Sequence, residues 1–70
     1  MSIKNNNFNL KISIIIPCFN EVKTIEKIIN KIIELQDLNK EIIVVDDFSI
    51  DGTRELLTNT LAVRIDKLIL

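Results

Sequence analysis

The sequence holds no histidine, one cysteine, one glycine and one proline, and no apolar run long enough to cross a bilayer. Each scarcity excludes something. With Cys18 alone no internal disulfide can form, which fits a reducing compartment, and with no histidine nothing stands ready to turn that thiol into a nucleophile. The longest apolar stretch, Ile12 to Phe19, is interrupted by Ser13 and broken at Pro17, far short of the roughly 20 residues a spanning helix needs. A secretory signal would begin with cationic residues and an apolar run; Asn5, Asn6, Asn7 and Asn9 stand there instead, so secretion is not expected. Nine basic and ten acidic residues leave a net charge of -1 without a basic cluster, which argues against a nucleic-acid partner. There are no internal repeats and no low-complexity linker.

What is present points to a packed core. The chain has 70 residues, 47% of them hydrophobic and 27% charged, which excludes a disordered tail and allows at most one small domain or part of one. Residues 1–10 read as a polar leader without periodicity. Lys11 to Ile16, "KISIII", is a short β-branched run that Pro17 is expected to end, since proline has no N–H for a strand ladder. From Glu21 the period changes to that of a helix. Val22, Ile25, Ile28, Ile29, Ile32 and Ile33 form one stripe, and Lys23, Glu26, Lys27, Asn30, Lys31 and Glu34 lie opposite as a solvated face. Asn20 and Thr24 are the candidate caps.

"QDLNK", Gln36 to Lys40, reads as a turn, and "EIIVV", Glu41 to Val45, as a strand apolar at consecutive positions because both its faces are covered. Asp51, Gly52 and Thr53 open a second, shorter helix that carries Leu56, Leu57 and Leu61, with Asp51 or Thr53 as its cap. "KLIL", Lys67 to Leu70, begins a third strand. Strand, helix, strand is a βαβ unit with parallel strands. One long and one short helix cannot cover both faces of a wide parallel sheet, so residues 11–70 are expected to be the first third or so of a larger α/β domain.

In open α/β sheets ligands bind beyond the carboxyl ends of the strands. There Pro17-Cys18-Phe19-Asn20-Glu21 and Asp46-Asp47-Phe48-Ser49-Ile50-Asp51 arrive at one edge. Side chains alternate along an extended backbone, so one carboxylate of the Asp46-Asp47 pair can face a ligand while the other holds the loop, accepting from backbone amides of residues 49–52. An ionised carboxylate only accepts hydrogen bonds, which suits the N–H edge of a nucleobase or ribose hydroxyls and not a bare phosphate. A diphosphate brought here would need a metal ion. Read without wider context, Pro17, Phe19, Phe48 and Glu21 have structural explanations as a strand end, core rings and a helix-start charge. Asp51-Gly52-Thr53 reads as a turn and cap, and Cys18 as a small packing residue. Asp47 alone has no obvious packing purpose.

"SIIIPCFNE" followed one helix later by "EIIVVDDFSIDGT" resembles the opening of family 2 glycosyltransferases, and within them, through "PCFNE" and "KTIEKII", enzymes of the dolichyl-phosphate mannose synthase type. The resemblance covers about Ser13 to Leu57. It implies the start of a GT-A domain, the Rossmann-like fold of nucleotide-diphospho-sugar transferases, with a UDP- or GDP-linked sugar as donor and a polyprenyl phosphate or a saccharide as acceptor. Pro17, Phe19 and Glu21 match positions that line the nucleoside pocket, Asp47 matches the carboxylate that contacts the base, and Asp46 matches its partner. Two positions depart from the pattern. Phe19 stands where Tyr is commoner and so loses a hydroxyl, and Phe48 stands where Gly is frequent and puts a bulky group in the loop. The family holds a divalent cation, Mg2+ or Mn2+, with a later DxD-type motif that Asp46-Asp47 is not, so no catalytic residue is expected within these residues. The expected location is the cytoplasm, or the cytoplasmic face of a membrane for members that use lipid acceptors. Two other readings compete: an inactive remnant or nucleotide-binding module, and a receiver-like signalling domain, whose acidic pair follows the first strand instead of the second.

Overall fold

The computed structural model describes residues 11–36 and 38–70; the polar leader and Asp37 of the expected turn lie outside them. Strands β1 (Ile12–Cys18), β2 (Lys40–Asp46) and β3 (Lys67–Ile69) alternate with helix α1 (Ile25–Ile33) and helix α2 (Thr53–Leu56). All three strands are parallel, in the order β1-β2-β3. Ile12 pairs with Lys40 and Cys18 with Asp46, so β1 and β2 end level with each other. This is the α/β arrangement that the βαβ pattern predicts, with the third strand in place.

The core lies on one face of the sheet. Cys18, Ile42 and Val44 from the strands meet Ile25 and Ile29 from α1 and Leu57 and Leu61 from the segment after α2. Of the apolar stripe on α1, Ile25 and Ile29 are buried and Ile32 half-buried, while Ile28 and Ile33 are exposed. At 100° per residue Ile28 and Ile33 sit at the margins of the sheet-facing arc, which explains the difference. Burying each of the two central isoleucines contributes about 1.5–3 kcal/mol. After Leu56 the helix widens into a π turn at Leu57–Leu61 and tightens into a 3-10 turn at Ala62–Arg64. Asp66 then ties β3 to β2: its carboxylate accepts the Ile42 N–H at 2.6 Å and its own N–H donates to the Ile42 carbonyl at 2.9 Å. On the opposite sheet face Ile15 and Ile69 are exposed and Ile43 and Val45 half-buried. No element among the described residues packs over them.

Three local expectations need correction. Pro17 does not end β1, which runs on to Cys18 with Pro17 in register with Val45. The Cys18 carbonyl accepts the Asp47 N–H at 2.8 Å; because backbone polar groups alternate sides along a strand, the proline nitrogen faces the edge of β1 away from β2, where no N–H is missed. The helix begins at Ile25 after a turn, not at Glu21. Of the two expected caps Thr24 holds the cap position but makes no capping bond, its hydroxyl donating to the Glu21 side chain instead, and the Asn20 side chain is bonded to Ile50.

Candidate functional site

The level ends of β1 and β2 make the site. A cleft of about 600 Å³ opens there, lined by Pro17, Cys18, Phe19, Glu21, Val45, Asp46, Asp47, Phe48 and Leu70. Pro17, Phe19, Glu21, Asp46 and Asp47 are thus brought together around one opening.

The two adjacent carboxylates have opposite surroundings. Asp46, the last residue of β2, is only 3% exposed. It accepts the Ser49 N–H at 3.1 Å and the Ser49 hydroxyl, and it pairs with the Arg54 guanidinium, whose Nε lies 3.4 Å away. Asp47 points the other way and is exposed; among the described residues its carboxylate has no hydrogen bond or ion pair, and only its N–H is engaged. Alternation at a strand end accounts for the split. One carboxylate is spent on the loop, and the other is left at the rim of the cleft.

Two loops form that rim, β1 to α1 and β2 to α2, and they are bonded to each other. Asn20 N–H donates to the Ser49 Oγ at 2.8 Å, and Ile50 N–H donates back to the Asn20 Oδ1 at 2.8 Å. Glu21 N–H donates to the Thr53 Oγ1 at 2.9 Å and Val22 N–H to the Asp51 Oδ2 at 3.2 Å. Asp51 also accepts the Thr53 N–H at 3.0 Å and the Thr53 hydroxyl. Burial alone would raise the Asp51 carboxyl, but the bonds from Thr53 and Val22 outweigh it and hold the group below its ordinary value. Gly52, at φ 101°, precedes α2 in the left-handed region that glycine enters without steric cost. The turn read at Asp51-Gly52-Thr53 is therefore there, and it is also a clamp between loops, but Gly52 and neither Asp51 nor Thr53 holds the cap position of α2.

Asn20 and Phe48 share the left-handed region, at φ 53° and 58°. Asn tolerates it better than most residues because its short side chain bonds locally, whereas a bulky ring has no such excuse. Phe48 is 75% exposed, and the Arg54 guanidinium carbon sits 5.3 Å from its ring centroid. Phe19, from the other loop, is 57% exposed. Neither ring is a core aromatic. Cys18 is buried under the cleft, and desolvation, with the Asp46, Glu21 and Asp51 charges adding to it, pushes its thiol up to about 11. That fits a packing residue.

The described residues do not form a cation site, since no three acidic or thiol side chains converge and Asp46 is already committed to Ser49 and Arg54. Sequence reasoning missed Asn20, Ser49 and Arg54. The signal for the first two was their place: polar side chains two or three residues beyond each strand end, where loop N–H groups need acceptors. Arg54 gave none, because an arginine on a helix is ordinarily a solvated charge.

Comparison with known families matches residues 13–69 to the model described as "Glycosyl transferase family 2". An uncharacterized glycosyltransferase of Mycoplasma genitalium is 42% identical over 50 residues, which are 69% of this chain and 17% of that protein. A dolichol-phosphate mannosyltransferase of Pyrococcus furiosus is 49% identical over 47 residues, 66% of this chain and 13% of that protein. The chain thus spans less than a fifth of the length of either relative. No solved structure gives a significant match.

Proposed function

The chain belongs to glycosyltransferase family 2, and from that premise we propose that it forms the donor-nucleotide side of a site that transfers a hexose from a UDP- or GDP-sugar. The observation that carries this reading is the unequal pair at the end of β2. Asp46 is buried and bonded to the loop, so Asp47 is held at the cleft rim as an acceptor with no protein partner among the described residues. A carboxylate so placed takes the N–H edge of uracil or guanine. Pro17 and Phe19 supply apolar surface beside it, and Glu21 borders the same opening.

The acceptor is a polyprenyl phosphate or a saccharide, and the similarity to the P. furiosus dolichol-phosphate mannosyltransferase favours the first. Its phosphate would be largely ionised at pH 7, with a second pKa of about 6, and so would need no general base, whereas a sugar hydroxyl would. A lipid acceptor would bring the reaction to the cytoplasmic face of a membrane. Mg2+ or Mn2+ would neutralise the departing diphosphate, a Lewis-acid task for which these residues offer no ligand set. The geometry disfavours a receiver-like role, which needs both acids presented together; here one is turned inward onto Arg54 and Ser49.

The test is calorimetric titration of the protein with UDP and with GDP. Asp47→Ala is expected to weaken binding of the preferred nucleotide by about 1–3 kcal/mol, the usual result of leaving a buried donor without its acceptor. An unchanged affinity in that variant removes Asp47 from the base pocket.

A further inference from the structure

Phe48 combines three features that packing does not explain. Its backbone is left-handed, which disfavours a side chain of this bulk. Its ring is 75% exposed, so burial does not compensate. Nor is the ring without a partner, because the Arg54 guanidinium stands over it and itself pairs with the buried Asp46 carboxylate. An aromatic residue that is exposed, paired with a cation and on an unfavourable backbone at the wall of a cleft is arranged for something that enters the cleft.

Resting on the donor-site reading, we propose that Phe48, backed by Arg54, is a specificity-determining residue that stacks on the nucleobase of the donor. The geometry supports this in four ways. Phe48 lines the cleft, and Arg54, whose guanidinium carbon lies 5.3 Å from the ring centroid, is not among the lining residues. Asp47, the immediate neighbour, supplies the in-plane acceptor that a base edge needs. A ring face next to an in-plane acceptor is complementary to a flat heterocycle with an N–H edge, and to neither a bare sugar nor a phosphate. Phe19 borders the same cleft from the other loop, so the base enters between two aromatic residues. The anchoring through Asp46 keeps the platform preordered, and little freedom is lost on binding.

The experiment is titration of the protein with UDP and GDP in magnesium chloride, alongside thermal melts. The variants are Phe48→Leu, which keeps apolar bulk on the same backbone, Phe48→Tyr, which keeps the ring, and Phe48→Gly. Phe48→Leu and Phe48→Gly are expected to weaken nucleotide binding about tenfold, the scale of base–aromatic stacking. Phe48→Tyr should bind as the parent does, and Phe48→Gly should melt no lower than the parent, because glycine suits that backbone. Parental affinity in Phe48→Leu overturns the stacking role, and so does a Phe48→Gly that loses affinity and melting temperature together, since that is a structural part failing. In either case a loss of binding in Asp47→Ala leaves the donor site standing. A parent protein that binds neither nucleotide overturns both.

Discussion

Replacing Asp46 tests whether the buried member of the acidic pair belongs to the loop. Its side chain is fully buried and accepts two bonds from Ser49, a residue only 7% exposed, so truncation leaves a backbone N–H and a hydroxyl without the acceptor they share. Hydrogen bonds to a charged acceptor are worth about 1.5–3 kcal/mol each. Arg54 adds less, because its side chain is 27% exposed and water can replace its partner. Asp46→Ala should therefore lose about 3–5 kcal/mol, in line with breaking a buried pair from one side. Asp46→Asn keeps an oxygen for the Ser49 N–H and turns an NH2 toward the Ser49 Oγ, so its loss should be nearer about 1–2 kcal/mol. Urea unfolding measures both. With m of about 1–3 kcal/mol/M, the alanine variant's midpoint should fall by at least roughly 1 M with unchanged slope. A loss below about 1 kcal/mol for Asp46→Ala refutes the assignment, and an Asn variant as damaged as the Ala variant would show that Arg54's charge, not the Ser49 bonds, is what Asp46 serves.

Two further outcomes follow from the titrating groups. Asp51 is held below its ordinary value of 3.8, so its ionised form favours the fold: that contribution is complete above about pH 4 and is lost as pH falls through the depressed folded value. The stability gap between the parent and Asp51→Ala should thus be constant from pH 5 to 8 and shrink below about pH 4; a gap that does not change with acid contradicts the clamp. Cys18 is raised from 9.0 to about 11, so folding favours the neutral thiol, a contribution present below pH 9 and lost as pH rises toward 11. Its alkylation by iodoacetamide at pH 8 should be negligible in the native protein and fast in urea. Rapid native labelling would place the thiol outside the core.

The parts of the fold readable from sequence are those written in periodicity. The β-branched runs and the isoleucine stripe gave the strands and α1, and level strand ends in a parallel sheet put both polar clusters at one edge. Boundaries went astray where a side chain does something other than its commonest task. Pro17 is tolerated inside β1 because its nitrogen faces away from β2, and Asn20 and Thr24 bond elsewhere instead of capping α1. The division of labour between Asp46 and Asp47 followed from alternation. Arg54's place did not, since a pairing across eight residues and a loop leaves no local pattern.

The seam between the two rim loops also predicts how freely each can drift in sequence. On the β1 side three of its donors are the backbone N–H groups of Asn20, Glu21 and Val22, and on the β2 side their acceptors are the side chains of Ser49, Thr53 and Asp51. Any residue but proline offers a backbone N–H, so for these three bonds the first loop is required only to keep its shape, while the second must keep its chemistry. Only the Asn20 amide, accepting from Ile50, asks for a particular side chain in return. Substitution should therefore be tolerated more readily at Val22 than at Ser49, Asp51 or Thr53. The block "DDFSIDGT" carries the greater share of the information that joins them.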